Sequence, residues 1–360
     1  MSPQPLGVAV AGLGFGEKVH LPALAATPDL AAIALWHPRQ ERLDAVTAAH
    51  GLRGFSDWDD LLGDPAVDAV VIAAPPAPRF DLARRALEAG KHLLLEKPIA
   101  LHADQARELQ RLALARGLSV AVDYEYRAVP LFMQAARLLQ AGAVGTPWLV
   151  KLDWLMGSRA APQRGWIWYA QADQGGGVIG ALGTHALDVL AWLIGPLGAI
   201  QARNSVSIKQ RPHPDGGLGA VDAPDVSLMQ TVAHWQGMQE LSVPAQVSLS
   251  SVSRNGRGFC LDVVGSAGSL LLSSTNQKDY VHGFELQHAP IGEPFRAVEP
   301  DADLVFPQTW SDGRIASVAR VLGWWAESIR RGQPMLPGLA EGVASRVACD
   351  QAALGTLDHA

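Results

Sequence analysis

Residues 6–20, LGVAVAGLGFGEKVH, constrain the fold more than any other part of the chain. They open with an unbroken run of small and β-branched apolar residues, which is typical of a parallel strand buried on both faces. Three glycines and then helix-compatible residues follow. A strand, a glycine turn and a helix N-terminus together present unpaired N–H groups and a positive dipole end to a pyrophosphate. This stretch therefore predicts a dinucleotide site, with contacts from Gly12, Leu13, Gly14, Phe15 and Gly16.

The glycine spacing departs from the dinucleotide fingerprint at one position. The fingerprint places glycines at relative positions 1, 3 and 6. Gly12 and Gly14 fit it, but position 6 is Glu17, and Gly16 comes one residue early. We expect Gly16 to relieve the crowding between helix and strand in place of the third glycine. The alternative is an ordinary strand-to-helix turn that binds no nucleotide.

Length and composition exclude several classes of protein. A chain of 360 residues is long enough for two domains, and 48% hydrophobic with 18% charged residues indicates a globular protein. A net charge of −6 argues against nucleic-acid and anionic membrane surfaces. Cys260 and Cys349 form neither a disulfide framework nor a zinc motif, so we expect no metal. With no signal-peptide pattern and no stretch that we judge able to span a bilayer, we expect a cytoplasmic enzyme.

The end of the second strand bears on the choice of cofactor. The apolar run LAAIALW ends at Trp36, about 20 positions past the glycines. An NAD-binding fold usually has an acid there, which binds the ribose 2′-hydroxyl. Here His37 and Arg39 follow, and a 2′-phosphate would be attracted by these side chains and repelled by a carboxylate. The sequence therefore favours NADP over NAD; the alternative is a solvated turn.

An alternation of strands and helices continues to about Tyr124. Further apolar runs cover residues 67–74, 92–95 and 119–123, and helices are expected from about Phe80 to Ala89 and over 103–116. This alternation predicts a doubly wound parallel sheet, the Rossmann type of NAD(P)-binding domain, over residues 1–124.

Two of these strands deliver residues to the edge where ligands bind. In open α/β sheets that edge is the carboxyl end of the strands. Ala74 ends one strand and is followed by Pro75 and Pro76, while Glu96 and Lys97 follow the next strand. We place Ala74, Pro75, Glu96 and Lys97 in the cofactor site.

The second half of the chain has a different pattern. Long alternating segments cover residues 147–156, 198–210, 226–236, 240–253, 259–264 and 268–274. They predict a C-terminal α/β domain over residues 125–360 with a large, mostly antiparallel open sheet that has one buried face. A glycine triplet at 175–177 precedes a helix expected over 181–194, and closing helices are expected over 315–331 and 339–357.

Several stretches carry a shared set of motifs: GLGFGEKVHLP, AAPPAPR, AGKHLLLEKP, YRAVP at 126–130 and GGGVIGALGTHALD. Together they resemble the Gfo/Idh/MocA family of nucleotide-dependent sugar and polyol oxidoreductases. The likeness runs over nearly the whole chain, and the E-K-P tripeptide after the A-G-K-H strand is its most specific element.

This resemblance implies both a fold and a site. It implies a Rossmann domain followed by an α/β domain, whose open sheet often faces a second subunit, so we expect a homodimer or homotetramer. It also implies that Lys97 hydrogen-bonds the reacting hydroxyl or carbonyl and that the Lys97–Pro98 bond can be cis. Arg127 matches a family position near nicotinamide and substrate; an ion pair at a domain interface is an equal alternative.

The residues also carry the chemistry without the family name. Oxidation of a secondary alcohol needs an acceptor for the hydroxyl proton, and His185 titrates near neutral pH. Lys97 can stabilise the developing alkoxide by its charge. Asp188 lies near His185 on one helix face and can fix the imidazole tautomer, although a helix-surface His–Asp pair is the alternative. Trp166 and its neighbours can form an apolar wall for a sugar, or can serve as packing.

Departures from the family pattern leave the substrate and the type of reaction open. The family usually has an aspartate four residues before the histidine, where this chain has Ala181. Pro76 and Arg79 stand where an asparagine and a histidine are common. The leading hypothesis is an NAD(P)-dependent oxidoreductase acting on a hydroxyl or carbonyl of a sugar-like small molecule. The alternatives are a non-catalytic nucleotide-binding regulator and a C=C or C=N reductase, which tolerates Ala181.

Overall fold

The chain folds into two compact units in a computed structural model that describes residues 4–236 and 240–358. One unit comprises Met1–Ala128 and Gln308–Arg346, and the other comprises Val129–Pro307 and Val347–Ala360. A single boundary after residue 124 was expected from the sequence. The first unit instead also takes in a segment from late in the chain.

The regular elements of the described residues are numbered in chain order. The strands are β1 Leu6–Ala11, β2 Leu30–Trp36, β3 Arg53–Phe55, β4 Ala69–Ile72, β5 His92–Leu95, β6 Val120–Val122, β7 Pro147–Leu155, β8 Gln201–Ser205, β9 Gln210–Pro212, β10 Leu218–Ala220, β11 Val226–Gln236, β12 Glu240–Ser250, β13 Gly258–Gly265, β14 Gly268–Ser274, β15 Glu285–Pro290, β16 Arg296–Ala297 and β17 Thr356–Asp358. The α-helices are α1 Leu21–Ala25, α2 Gln40–His50, α3 Trp58–Gly63, α4 Pro76–Glu88, α5 Ala103–Arg116, α6 Pro130–Gln140, α7 Thr184–Leu193, α8 Arg314–Arg331 and α9 Leu339–Ala353. Two π-helical turns, Gly16–His20 and Ile179–Gly183, lead into α1 and α7.

The first unit is built on a six-stranded parallel sheet in the order β3-β2-β1-β4-β5-β6. This confirms the predicted doubly wound Rossmann sheet. The strand order reverses between β1 and β4, and ligands of such sheets bind outside the carboxyl ends of the strands at this point.

Both faces of this sheet are buried, which explains the unbroken apolar run of β1. Ala9 and Ala11 pack into a cluster with residues of α3, α4 and α5. Val8 and Val10 face the opposite way and pack against the apolar side of α8, which includes Trp325. The helix over 315–331 had been assigned to the second domain. It lies in the first unit because α1 is too short to cover this face of the sheet alone.

The start of α4 also differs from the sequence-based expectation. The sequence pattern predicts that the two prolines after β4 close the strand and that a helix begins at about Phe80. The helix begins at Pro76 instead. A proline at the first helical position sacrifices no intrahelical hydrogen bond, and its fixed φ suits the helix.

The second unit contains a nine-stranded sheet in the order β16-β15-β14-β13-β7-β12-β11-β8-β17. Only the pairs β7–β12 and β8–β17 are parallel among its described strands, so the expectation of a mostly antiparallel sheet is confirmed. Alternate residues of β7, including Val150, Leu152 and Trp154, are buried on its inner face. A separate hairpin joins β9 and β10.

One helical stretch among the described residues, Ala172–Leu193, has the length and apolar composition needed to cross a membrane. No such stretch was expected from the sequence. Its most apolar window is 78% buried inside the structure, as in the core helix of a globular protein.

Candidate active site

The turn after β1 requires glycine at its first position. Gly12 has a φ of +107°, and a Cβ there would lie 2.8 Å from the carbonyl carbon and oxygen of Ala73. The Gly12 N–H donates to the Trp36 carbonyl at 3.2 Å. The glycine turn therefore lies directly beside the ends of β2 and β4.

The next two glycines differ in their surroundings. A Cβ added to Gly14 would meet no atom within 4 Å, so this side of the turn is open to a ligand. A Cβ on Gly16 would lie 2.9 Å from Cγ1 of Val10. Gly16 thus allows the helix to approach the strand closely, the task usually given to the third glycine of the fingerprint. Leu13 and Phe15 are partly buried around the turn. These features fit a dinucleotide pyrophosphate.

The polar residues His37 and Arg39 follow the end of β2. The His37 N–H donates to the Phe55 carbonyl, and His37 Nδ1 accepts from the Arg39 N–H at 3.1 Å. Burial lowers the pKa of His37. The Arg39 side chain is exposed and has no ion pair among the described residues. The exposed guanidinium of Arg39 and the imidazole of His37 therefore lie one strand away from the glycine turn.

Arg79 links the ends of β4 and β5. It is buried, and its guanidinium donates to the carbonyls of Ala74 and Pro98. Burial lowers the pKa of Arg79 to about 10, although the charge of Glu96 opposes this shift. Arg79 therefore serves as a buried clamp at a position where the family commonly has a histidine. Pro75, at the cap of α4, lies just after the clamped carbonyl.

The segment after β5 carries Glu96 and Lys97 at the carboxyl edge of the sheet. Glu96 is buried and Lys97 is partly exposed. The Lys97–Pro98 bond is cis, as the resemblance implied. The predicted cofactor residues of the first unit, at the ends of β1, β2, β4 and β5, therefore share one edge of one sheet.

Sequence reasoning missed a buried cluster of His20, Glu96 and Asp123 at this edge. The His20 Nε2–H donates to Oε1 of Glu96 at 2.9 Å, and Oδ2 of Asp123 lies 3.6 Å from the same nitrogen. The sequence contains a pattern that could have revealed this cluster. Glu96 and Asp123 each directly follow one of two consecutive buried strands, whose carboxyl ends meet in a parallel sheet.

The pKa values of the two carboxyl groups of this cluster are shifted in opposite directions. Burial opposes ionisation of Glu96, but the hydrogen bond from His20 and the nearby positive charges outweigh it and lower its pKa to about 2. Burial and the negative charge of Glu96 raise the pKa of Asp123 well above its usual range. Both Asp123 oxygens are buried and would have no donor if the group were ionised. We therefore interpret Asp123 as a protonated acid that shares its proton with Glu96.

The same three side chains could in principle hold a metal ion, because their ligand atoms lie within 4.8 Å of one another. The positive charges of Arg79 and Lys97 already act on Glu96 and disfavour an additional cation. The absence of a metal stays a prediction.

The second unit places His185 and Asp188 on α7, where both are buried. The His185 ring lies 6.3 Å from the ring of Trp154 on β7. An ordinary helix was predicted here, but a π-helical turn that includes Ala181 precedes α7. Such turns often occur at functional sites.

The remaining predicted substrate residues have defined surroundings. The Trp166 indole N–H donates to the Ala220 carbonyl at 2.7 Å, and its ring lies 4.7 Å from that of His213. Trp166 therefore packs on the β9–β10 hairpin. Arg127 is buried in a 3₁₀ turn, Glu125–Ala128, of the first unit.

A doubly wound sheet with a glycine turn, open at Gly14, defines a nucleotide-binding protein of the Rossmann class. Comparison with known families makes this more specific. Residues 6–124 match the NAD-binding Rossmann fold of an oxidoreductase family, and residues 136–353 match the C-terminal α/β domain of the same family. The chain belongs to the Gfo/Idh/MocA family and is an NAD(P)-dependent oxidoreductase.

Known relatives agree with this assignment. The chain is 42% identical over 349 residues to an uncharacterized oxidoreductase of Synechocystis sp., covering 96% of this chain and 92% of the relative. It is 29% identical over 228 residues to a levoglucosan dehydrogenase of Pseudarthrobacter phenanthrenivorans, covering 61% of this chain and 58% of that enzyme. A levoglucosan dehydrogenase solved with NADH and levoglucosan is similar in fold, with a TM-score of 0.86, 23% identity and coverage of 97% and 96%.

Proposed function

We propose that the protein transfers a hydride between NADP(H) and a hydroxyl or carbonyl carbon of a sugar or polyol. The observation that carries this proposal is the position of Lys97, partly exposed at the carboxyl edge of the Rossmann sheet on which the glycine turn also lies. The similarity to a levoglucosan dehydrogenase supports a sugar as the substrate class.

The proposed chemistry divides among the cofactor and two side chains. The nicotinamide, when bound, accepts or supplies the hydride. The Lys97 ammonium stabilises negative charge that develops on the substrate oxygen. His185 accepts the hydroxyl proton during oxidation and returns it during reduction. Asp188, one turn further along α7, holds the imidazole in the required tautomer.

Ala181 separates this protein from relatives that have an aspartate at the same place. A methyl group neither binds a sugar hydroxyl nor carries a proton, so other residues must hold the substrate. This observation favours a second candidate, reduction of a C=C or C=N bond, in which a hydroxyl-binding aspartate has no task.

Turnover tests the proposed function directly. Purified protein is incubated with NADP⁺ or NAD⁺ and a panel of aldoses, polyols and uronates, and absorbance of the reduced nicotinamide is followed. We expect reduction of NADP⁺ by at least one sugar. Tight nucleotide binding without sugar turnover would contradict the proposal and favour the C=C or C=N reductase or a non-catalytic regulator.

Arg39 is expected to select the cofactor. Arg39→Ala should weaken NADPH binding by about 10- to 100-fold, because a charge-assisted phosphate contact contributes about 1.5–3 kcal/mol. NADH binding should change little, since NADH has no 2′-phosphate. Calorimetric titration of both nucleotides measures this. Arg42→Ala, an exposed arginine one turn further along α2, is the matched control. Equal loss for both nucleotides, or no loss, would contradict the NADP preference.

We also expect the protein to form a homodimer or homotetramer through the outer face of the large sheet. Leu149 pairs with Val264 across β7 and β13, and both are exposed, as is Leu228 on β11. Leu228→Glu should shift the assembly towards the monomer in multi-angle light scattering. Leu218→Glu, an equally exposed leucine on the β9–β10 hairpin, is the control. A monomeric wild type at micromolar concentration would contradict this expectation.

A further inference from the structure

Three arginines hold one short loop, residues 158–161, which follows β7 in the second unit. Each donates to backbone carbonyls of the loop. The donors and carbonyls are Arg164 to Ser158 (2.6 Å), Arg211 to Arg159 (2.7 Å) and Ala161 (2.9 Å), and Arg254 to Ala160 (3.1 Å). Four successive carbonyls are therefore occupied by guanidinium groups. The loop is fixed in place, and it carries a fourth arginine of its own.

That fourth arginine, Arg159, has a different environment. Its guanidinium carbon lies 4.3 Å from the ring centroid of Tyr169, and its side chain is half-buried. Within residues 4–236 and 240–358, its guanidinium takes part in no hydrogen bond or ion pair. Contact with an aromatic face leaves the N–H edges of a guanidinium free, and these edges match carboxylate and phosphate oxygens.

Positive charges outnumber negative charges around Arg159. Burial lowers the pKa of Arg159, and the charges of Arg164 and Arg211 act in the same direction. Asp225, whose charge acts on Arg211, accepts from the N–H groups of Ser207 and Ile208, each at 2.9 Å. None of the four arginines has an ion pair among the described residues. Arg211 is buried and Arg159 is half-buried, whereas Arg164 and Arg254 are exposed to water. Cations taken out of water are stable only when compensated, so an anion would be bound favourably beside Arg159 and Arg211.

Arg159 lies shortly after β7, the strand that places Trp154 beside His185. The Arg159 N–H donates to the Ser251 carbonyl at 2.8 Å, just beyond the end of β12. Trp154 lies on β7, five residues before Arg159 in sequence. Its ring lies 6.3 Å from that of His185. Arg159 and the proposed proton-transfer residue are therefore both connected to the carboxyl end of β7, Arg159 through the chain and His185 through the ring of Trp154.

We propose, building on the function proposed above, that Arg159 binds a carboxylate or phosphate group of the substrate. The substrates of this oxidoreductase are then acidic sugars, either uronates or sugar phosphates, and neutral sugars bind more weakly. A planar guanidinium positioned by Tyr169 can form two parallel hydrogen bonds to either anion.

Binding measurements separate this proposal from catalysis. Glucose, glucuronate and glucose 6-phosphate are titrated by calorimetry into the protein saturated with NADP⁺. We expect at least one acidic sugar to bind 10-fold or more tightly than glucose. In Arg159→Gln this ratio should fall at least 10-fold, and Arg159→Lys should restore part of it. Arg296→Gln, which removes an exposed arginine of β16 that pairs with Glu293, should keep the wild-type ratio.

The two acidic ligands identify the anion. A preference for glucuronate alone assigns a carboxylate site, and a preference for glucose 6-phosphate alone assigns a phosphate site. Equal binding of all three sugars, or an Arg159→Gln ratio within twofold of wild type, would overturn the proposal. If that occurred while NADPH still bound and sugars still turned over, only the acidic substrate class would fail. Absence of both nucleotide binding and turnover would instead overturn the proposed function.

Discussion

Lys97→Met is expected to lower kcat by about 100- to 1,000-fold, the usual cost of removing one group that stabilises developing charge. Methionine retains most of the length and apolar volume of the side chain, so the change removes mainly the ammonium. NADPH affinity should fall far less than kcat, because the pyrophosphate contacts lie at the glycine turn. Steady-state rates and a nucleotide titration on the same preparation measure the two effects.

Two further variants test whether the loss of kcat is specific to the proposed catalytic residues. Lys209→Met changes an exposed lysine of the second unit and should leave kcat unchanged. His185→Asn keeps a polar side chain but cannot exchange a proton, and should lower kcat by about 100- to 10,000-fold. It should also remove one limb of the pH–kcat profile. If Lys97→Met kept more than about a third of wild-type kcat, the role proposed for Lys97 would be wrong.

Glu96→Gln is expected to destabilise the protein by about 3–5 kcal/mol at neutral pH, because it leaves the buried charge of Arg79 uncompensated. Asp123→Asn should cause no such loss, since an amide resembles a protonated carboxyl and can still donate to Glu96. Urea unfolding at several pH values measures both variants. Asp104→Asn, at an exposed acid at the start of α5, is the control.

The contributions of Glu96 and Asp123 to the free energy of unfolding change with pH in opposite directions. The pKa of Glu96 falls from 4.5 to about 2 on folding, so its contribution is present above pH 4.5 and is lost as the pH falls towards 2. The pKa of Asp123 is raised on folding from its ordinary value of 3.8. Above that pH the unfolded chain releases a proton that the folded protein keeps, which lowers the free energy of unfolding as the pH rises.

Asp123→Asn removes the decrease in the free energy of unfolding that the raised pKa of Asp123 causes as the pH rises. The stability of the variant relative to wild type should therefore increase as the pH rises above 3.8. A loss of several kcal/mol in Asp123→Asn at pH 7 would mean that Asp123 is ionised and paired with His20.

Local patterns were sufficient to predict the buried strands of the nucleotide-binding unit. The apolar run before Gly12, the Pro-closed strand after residue 67 and the E-K-P segment all have short-range signals, and the strands are parallel as predicted. The resemblance implied the cis bond at Pro98. These features depend on residues that are close in sequence, so a pattern could reveal them.

Features that depend on distant residues were not predicted. His20 and Glu96 are 76 positions apart, and only the strand order brings them within hydrogen-bonding distance. Arg79 differs from the histidine that the family commonly has at this position. Its role as a clamp was not predicted because its partners are backbone carbonyls, which no side-chain pattern indicates. The loop at 158–161 looked unremarkable, since its arginines come from three separate segments.

The position of α8 has a consequence for the order in which the chain can fold during synthesis. The last Rossmann strand, β6, ends at Val122, whereas α8 ends only at Arg331. At roughly 5–20 residues per second, a ribosome needs roughly 10–40 s to make the intervening chain. During that time the side chains that α8 later covers, Val8 and Val10 among them, stay open to solvent. Nascent protein therefore offers an apolar sheet face to chaperones until α8 has left the ribosome.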